Sequence, residues 1–273
     1  MIVFPHAKIN LGLYVTGKRA DGYHDIETIF YPVPLCDALE VIKDSSSIGK
    51  IDLTVTGNDS LTAKDNLCIK AYQLLQKDFK LSSVKVHLHK MIPTGAGLGG
   101  GSADAAFMLK LLNRIFDLKL GDDALKKYAL ELGSDCPFFI DSKPVCATGR
   151  GEIMQPAEVS LKNYFICIIK PQISVSTAEA YKMIKPQKPR MSILSAIQQP
   201  IEKWKDSLTN DFEKPVFERH PEIENVKKKL YDAGAVFALM SGSGSAVYGI
   251  FEREIDFKNT FDSSSFISVS KLF

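Results

Sequence analysis

The sequence lacks a long apolar run. No stretch approaches the roughly 18 consecutive apolar residues that a membrane-spanning helix requires, and Met1–Lys8 lacks the apolar core of a secretory signal peptide. We therefore expect a cytoplasmic protein with no membrane partner. At 273 residues the chain is long enough for two domains, each with its own hydrophobic core.

Cysteine is scarce, and the five cysteines include no Cys-x-x-Cys pair. An odd, scattered set of thiols is typical of a reducing compartment and argues against a disulfide framework. An excess of one charge is also missing, because the net charge is +2 and no basic stripe alternates with aromatic residues. The sequence therefore predicts no nucleic-acid partner. Its composition favours no particular oligomeric state.

Glycine, in contrast, is concentrated in Pro93–Ala106, where five glycines fall within seven residues and lead into a helix-forming stretch. Glycine has no side chain to hold a ligand away, and it tolerates positive φ angles that turn consecutive amides inward. The N-terminus of the following helix adds unpaired N–H groups and a partial positive charge. This segment is typical of a phosphate-binding loop. The alternative is a glycine-rich turn with no ligand.

The residues around the loop exclude the protein classes in which such glycine-rich loops are most common. A Walker A loop needs lysine before its serine, but Gly101 precedes Ser102. A dinucleotide-binding fold needs a buried parallel strand before the loop, whereas Val84–Lys90 alternates like a half-buried strand, which we expect to be antiparallel. The sequence contains no His-Arg-Asp or Asp-Phe-Gly motif of a protein kinase.

The rest of the chain alternates between strand and helix patterns, with a change of register near residue 155. The predicted strands are Ile9–Val15, Asp25–Pro34, Asp52–Thr56, Val84–Lys90, Tyr164–Ile169, Ala235–Met240 and Ala246–Phe251. The predicted helices are Asn66–Asp78, a long helix from Ser102, Asp122–Leu132 and Glu222–Ala233. We predict two domains, 1–155 and 156–273.

Two charged residues are candidates for phosphoryl transfer to an alcohol, which usually needs a carboxylate to accept the hydroxyl proton. Asp135 follows the end of a predicted helix, so its carboxylate is held at a loop edge; the alternative role is helix capping, with Pro137 in the first turn. Lys8 opens the first long strand and could bridge Asp135 and the transferred group. A solvated lysine at a strand end is the alternative.

A second turn of small residues, Ser241–Ser245, joins two predicted strands. Its presence in the second half suggests that both domains face one site, because clefts between domains are favoured ligand positions. The alternative is a flexible hairpin with no ligand.

Three motifs in this order, Ala7–Leu13, Pro93–Ala106 and Met240–Ser245, resemble those of the GHMP kinase superfamily of small-molecule kinases. The resemblance implies an α+β, two-domain GHMP kinase fold, with a ribosomal protein S5 domain 2-like N-terminal domain and a ferredoxin-like C-terminal domain. Gly17–Asp25, Lys64–Leu67 and Gly133–Pro137 are similar to the branch of the superfamily whose acceptor carries a cytidine diphosphate group, in non-mevalonate isoprenoid biosynthesis.

The resemblance also implies roles for individual residues. Asp135 would be the catalytic base and Lys8 its partner. ATP would be the phosphoryl donor, with Mg²⁺ and with Ser102 as a candidate metal contact. The implied acceptor contacts are Asn10, Tyr23, His24, Thr177 and Tyr181. The implied nucleotide contacts are Asn66, Pro93, Gly95, Ala96, Gly97, Leu98, Gly99, Gly100, Gly101 and Ser102.

The sequence departs from the family pattern at two places: Tyr181 stands where Phe is frequent, and Ala103-Asp104 stands where many relatives have Ser-Asn. The sequence leaves two alternatives open. One is a GHMP kinase for another alcohol, such as mevalonate or homoserine, and the other is a ligand-sensing protein without turnover. Tyr23, His24 and Tyr181 favour a cytidine-bearing acceptor, because a base can stack on aromatic rings.

Overall fold

In a computed structural model of the chain, the described residues are 1–57, 65–257 and 260–272. They divide into two compact units, each built from separate parts of the chain. The first unit contains residues 1–7, 35–92 and 99–143, and the second contains residues 8–34, 93–98 and 144–273. Lys64, part of the motif Lys64–Leu67, lies outside the described residues.

The elements of the first half of the chain are β1 (Ile2–Val3), β2 (His6–Lys18), β3 (His24–Cys36), β4 (Ala38–Ile48), β5 (Ile51–Thr56), α1 (Leu67–Asp78), β6 (Ser82–His89), α2 (Gly100–Ile115), α3 (Asp122–Leu132) and α4 (Phe138–Asp141). They are followed by β7 (Val145–Gly149), β8 (Ile153–Pro156), β9 (Phe165–Lys170), α5 (Thr177–Met183), α6 (Ile193–Ile197), a short 3-10 helix (Ile201–Lys203), α7 (Trp204–Ser207), α8 (Glu213–Arg219), α9 (Pro221–Asp232), β10 (Phe237–Met240), β11 (Val247–Phe251) and β12 (Phe266–Lys271).

The first unit contains a sheet in the order β1-β4-β6-β5. Strand β6 buries Val84, Val86 and Leu88 and exposes the residues between them, as its alternating sequence predicts. It runs antiparallel to β4, as expected, but parallel to β5, which the sequence did not predict. The sequence also did not predict β4. Its apolar alternation is short, at Leu39 and Val41, before the polar run 44–47.

Helices α1, α2 and α3 pack together in the first unit, and all three are confirmed close to their predicted bounds. Helix α2 begins directly after the glycine loop. It buries seven alanine, methionine and leucine side chains, namely Ala103, Ala105, Ala106, Met108, Leu109, Leu111 and Leu112. Because this helix is embedded in the core of the first unit, its first turn is held firmly in place.

The second unit contains two sheets, in the orders β2-β3-β7-β8 and β10-β11-β9-β12. In the second sheet all three neighbouring pairs are antiparallel, with Met240 opposite Val247 and Gly249 opposite Cys167. The predicted strands at Ile9–Val15, Asp25–Pro34, Tyr164–Ile169, Ala235–Met240 and Ala246–Phe251 are confirmed. Strand β12 was not predicted.

Helices α8 and α9 contribute to the core of the second unit, where the buried residues include Phe212, Val216, Ile223, Val226 and Leu230. Strand β2 is buried along most of its length, and its polar residues Lys8 and Asn10 lie inside the protein. In the part of the chain that the structure describes, no helix is long and apolar enough to cross a membrane.

Candidate active site

The glycine loop is wound by positive φ angles at alternate residues, +61° at Gly95, +76° at Gly97 and +72° at Gly99. These angles fall in the left-handed region that glycine adopts without strain. Between them, the Ala96 carbonyl accepts a hydrogen bond from Ala246 N (3.2 Å) and the Leu98 carbonyl accepts one from Lys8 N (2.9 Å). The loop is therefore tied by its backbone to strand β2 and to the residue before strand β11.

Gly97 packs directly against the Ser241–Ser245 turn. A Cβ atom on Gly97 would lie 2.0 Å from the Ser241 carbonyl oxygen and 3.3 Å from Gly242 Cα. The Ser241 hydroxyl donates a hydrogen bond to the Gly97 carbonyl at 2.8 Å. The two glycine-rich turns thus contact each other, and only glycine fits at position 97.

Lys8 and Asn10 lie next to each other on strand β2, both buried. Lys8 Nζ donates a hydrogen bond to Asn10 Oδ1 at 2.7 Å, and the ammonium also lies 4.8 Å from the centre of the Phe30 ring. Asn10 Nδ2 donates to the Thr28 hydroxyl (2.8 Å), which itself donates to the Gly12 carbonyl (2.6 Å). Lys8 is not a solvated lysine at a strand end, because it is 4% exposed.

Asp135 belongs to the first unit and lies between α3 and α4. Helix α3 ends at Leu132, and the carbonyl of its C-cap residue Gly133 accepts a hydrogen bond from Cys136 N at 3.1 Å. The N-cap position of α4 is Pro137, with no side-chain cap hydrogen bond, so Asp135 does not occupy the N-cap.

Ser102, in the first turn of α2, forms a side-chain hydrogen bond with the thiol of Cys136, the residue after Asp135. Burial raises the pKa of the Cys136 thiol to about 12, the Ser102 hydrogen bond lowers it, and the negative charge of Asp135 raises it. The thiol is therefore neutral at physiological pH. The start of α2 and the Asp135 segment are thus neighbours within the first unit.

Among the described residues, no group of three or more His, Cys, Asp or Glu side chains is arranged to hold a metal ion. Mg²⁺ is often bound through one or two protein groups plus substrate phosphates. The residues present are thus compatible with Mg²⁺ only if nucleotide phosphates supply most of its ligands.

The three aromatic acceptor candidates are all in the second unit. The rings of His24 and Tyr181 stack with centroids 5.0 Å apart and an angle of 20° between their planes. Tyr181 also makes an edge contact with the buried Phe212 at 4.8 Å. Tyr23 is 57% exposed, and the Arg150 guanidinium lies 5.0 Å from its ring centre. Arg150 was not predicted from the sequence as a site residue.

Tyr23 and His24 follow a tight turn whose conformation depends on Asp21 and Gly22. Gly22 has a φ of +84°, and the Asp21 carboxylate accepts a hydrogen bond from Tyr23 N at 3.1 Å. That hydrogen bond, together with Arg19, lowers the pKa of Asp21. The turn leaves the Tyr23 ring accessible to a ligand while its backbone is fixed.

Thr177 starts helix α5, and its hydroxyl lies 2.9 Å from the Ser243 hydroxyl, within hydrogen-bonding distance. Four of the predicted acceptor residues therefore contact other site candidates. Asn10 touches Lys8 and Ser241, Thr177 touches the second turn, and His24 stacks on Tyr181. Asn66, a predicted nucleotide contact, caps helix α1 by accepting from Cys68 N at 2.9 Å.

A buried ion cluster in the first unit supports the start of α2, and sequence reasoning missed it. Lys90 Nζ donates hydrogen bonds to Asp37 and, at 2.6 Å, to Asp104. Asp37 also accepts from Met91 N (2.6 Å) and Ile92 N (2.8 Å). Asp104, at a departure from the family pattern, thus ties α2 to the end of β6.

Asp104 should make stability depend on pH. Burial raises the pKa of Asp104 from 3.8 to about 7. The positive charge of Lys90 lowers this pKa, and the negative charge of Asp37 raises it. The native state then holds a proton that the unfolded chain has released, so this contribution to stability is lost as pH rises from about 4 to about 7. Relative to Asp104→Asn, the wild type should lose unfolding free energy between about pH 4 and pH 7 in denaturant titrations. Parallel pH profiles of the two proteins would contradict this assignment.

Two family models match the chain. The GHMP kinases N terminal domain matches residues 66–143, and the GHMP kinases C terminal domain matches residues 193–262. The first range contains the glycine loop and Asp135, and the second contains the Ser241–Ser245 turn. The predicted domain boundary at residue 155 lies between the two ranges and stays a prediction.

Curated relatives match nearly the whole chain. A protein of Bacteroides thetaiotaomicron named 4-diphosphocytidyl-2-C-methyl-D-erythritol kinase is 55% identical over 255 residues, covering 93% of this chain and 93% of the relative. A protein of the same name from Parabacteroides distasonis is 50% identical over 259 residues, with 94% of each chain covered.

Solved structures are similar as well. A crystal structure of 4-(cytidine 5'-diphospho)-2C-methyl-D-erythritol kinase is 32% identical, with a TM-score of 0.76, and covers 92% of this chain and 90% of its own. The homoserine kinase of Cytophaga hutchinsonii has a TM-score of 0.69 at 19% identity, covering 98% of this chain and 94% of its own. At that identity the similarity shows the fold alone.

Proposed function

The chain belongs to the GHMP kinases, and on that premise we propose that it transfers the γ-phosphoryl group of ATP to the 2-hydroxyl of 4-diphosphocytidyl-2-C-methyl-D-erythritol. The products are the 2-phosphate and ADP, in non-mevalonate isoprenoid precursor biosynthesis. The predicted family and the α+β fold class are confirmed by the matches to the GHMP kinase models and structures. The full-length identity of 50 to 55% to relatives named for this activity is the observation that carries the proposal.

The aromatic residues of the second unit support the choice of acceptor. Stacking of a base on an aromatic ring contributes about 1 to 3 kcal/mol, and the exposed Tyr23 ring and the His24–Tyr181 pair offer such surfaces. Mevalonate and homoserine contain no base to stack. The mevalonate and homoserine kinases that share the fold are 14 to 19% identical to this chain.

For the chemical step we assign Asp135 as the base. Its carboxylate accepts the proton of the 2-hydroxyl as the hydroxyl oxygen bonds to the γ-phosphorus, and the bond from that phosphorus to the bridging oxygen breaks to release ADP. We assign Lys8 to neutralising the charge that builds up on the transferred group. Its burial and its hydrogen bond to Asn10 support this role. Burying an ammonium costs desolvation free energy, and a negative charge that develops beside it offsets that cost.

Nucleotide binding is assigned to Pro93, to Gly95–Ser102 and to Asn66. The positive φ angles of the loop and the helix start behind it support a phosphate-binding role. Mg²⁺, when bound with ATP, would neutralise phosphate charge, and Ser102 is the proposed protein contact. We place the reaction in the cytoplasm, because the proposed phosphoryl donor is ATP.

The test is ADP release from ATP with a panel of alcohols, namely the cytidine diphosphate compound, mevalonate and homoserine. Turnover is expected with the first compound alone. Turnover on mevalonate or homoserine without turnover on the first would overturn the acceptor assignment. Absence of turnover on every alcohol, with ATP still bound, would favour a ligand-sensing protein.

Tyr23→Ala should raise the KM for the acceptor about 5- to 150-fold, which corresponds to the loss of one stacking contact. The KM for ATP should change little, because the ring is assigned to the base. Tyr23→Phe is the matched control, since it keeps the ring, and its KM for the acceptor should stay within about threefold of wild type. Steady-state kinetics with each substrate varied in turn measures both constants. An effect confined to ATP would refute the placement of the cytidine.

A further inference from the structure

Asn210 lies in the segment between α7 and α8, and its buried side chain uses all of its strong hydrogen-bonding groups. The Nδ2 group donates to two carbonyl oxygens, those of Met240 and Gly242, each at 2.8 Å. The Oδ1 atom accepts from Phe212 N at 3.0 Å. The two carbonyls flank Ser241, so one side chain holds both sides of the residue that touches the glycine loop.

We propose that Asn210 is a positioning residue for phosphoryl transfer, which acts by holding the Ser241 turn against Gly97 and Asn10. This inference rests on the proposed kinase function. No family motif used above includes Asn210, and its side chain acts on the loop through the Ser241–Gly242 turn.

The connection from Asn210 to the site consists of short, buried contacts. The Ser241 hydroxyl donates to the Gly97 carbonyl at 2.8 Å and accepts from Asn10 N at 3.3 Å. Asn10 in turn accepts from Lys8 Nζ at 2.7 Å. A shift of the Ser241 turn would therefore displace both the loop and, through Asn10, Lys8.

The packing of the turn leaves little room for such a shift. A Cβ atom on Gly242 would lie 3.1 Å from Gly97 Cα, so movement toward the loop is blocked. Movement away from the loop would lengthen the bond from the Ser241 hydroxyl to the Gly97 carbonyl. Asn210 thus selects one of a narrow range of positions for the turn.

The backbone around Asn210 is itself anchored to strands β2 and β10. Leu13 N donates to the Thr209 carbonyl (2.9 Å), and Asp211 N donates to the Leu13 carbonyl (2.9 Å). The Asp211 carboxylate accepts from Val15 N at 2.7 Å, and Glu213 accepts from Met240 N at 3.0 Å. The Asn210 side chain therefore extends from a fixed frame.

Asn210→Asp tests the proposal because it keeps the size and the acceptor atom but removes both donors. We expect kcat to fall about 10- to 100-fold, the scale expected for misplaced reacting groups, and the affinity for a non-hydrolysable ATP analogue to fall as well. Asn113→Asp is the matched control. Asn113 also joins its amide to a loop backbone, donating to the Leu120 carbonyl (2.9 Å) and accepting from Leu120 N (3.0 Å). Its kcat should stay within about twofold of wild type.

A double-mutant cycle with Ser241→Ala separates positioning from general stability. If Asn210 acts through Ser241, adding Asn210→Asp to Ser241→Ala should lower kcat by less than about threefold further. Independent effects that multiply would overturn the proposal, as would a kcat loss no larger than that of Asn113→Asp. If Asn210→Asp does not fold, Asn210→Ser, which keeps one donor, replaces it in the same cycle.

The turnover of the wild-type protein on the panel of alcohols distinguishes failure of this inference from failure of the proposed function. If the wild type phosphorylates a different alcohol, the acceptor assignment fails, and the cycle is run with that alcohol. If the wild type phosphorylates no alcohol, the proposed function fails. The double-mutant cycle is then measured as the affinity of each variant for the ATP analogue. Additive losses of that affinity would then overturn the role of Asn210.

Discussion

Replacing Asp135 with asparagine is expected to lower kcat by about two to four decades, the usual contribution of a positioned general base. Asparagine has nearly the same shape but cannot accept the proton of the attacking hydroxyl. Binding of ATP should stay close to wild type, because the assigned phosphate contacts belong to the glycine loop. Single-turnover measurements of ADP formation, with nucleotide affinity measured in parallel, test both expectations.

Asp141→Asn is a control for loss of an acid in the same unit. Asp141 ends helix α4 and pairs with Lys126 at 2.7 Å on the surface. Surface ion pairs of this kind contribute about 1 kcal/mol or less to stability, so this variant should retain turnover. Near-normal turnover of Asp135→Asn would remove Asp135 from the role of base.

Gly97→Ala is expected to lower the rate of phosphoryl transfer by at least about two decades through displaced reacting groups alone. The added Cβ would lie 2.0 Å from the Ser241 carbonyl oxygen and 2.8 Å from its carbonyl carbon, so backbone atoms must move. The loop or the Ser241 turn must then move, and the hydrogen bond between them is lost. Nucleotide affinity and kcat are the measurements.

Gly234→Ala is the matched control for the torsional cost of alanine in the left-handed region. Gly234 has a φ of +92°, and a Cβ there would meet nothing within 4 Å. This variant should lose about 1 to 2 kcal/mol of stability but retain ATP affinity and turnover. If Gly97→Ala behaves like Gly234→Ala, the contact between the two turns is not required for activity.

The features that the sequence predicts well are those with local causes. Helix α2 and strand β6 show their periods in consecutive residues, and the glycine loop is visible because only glycine adopts its φ angles without strain. Strand β5 was predicted as an element, but its parallel pairing with β6 was not. Pairing depends on the path of the chain between strands, which residue periodicity does not encode.

The candidate site was predictable in part for the same reason. Gly97, Lys8 and Tyr23 lie in motifs of consecutive residues. Asn210 and Arg150 contact them or their partners from distant positions in the chain, and their type alone does not distinguish them from other polar residues. The partners of Lys90 illustrate this limit, since Asp37 is 53 residues away along the chain.

The contact between Gly97 and the Ser241–Gly242 backbone also constrains recombination. A crossover between residues 102 and 240 would take the glycine loop from one parent and the second turn from the other. Because the two backbones meet with no side chain between them, a small difference in either turn cannot be absorbed by a new rotamer. Functional chimaeras of this enzyme with its relatives should therefore inherit both turns from the same parent.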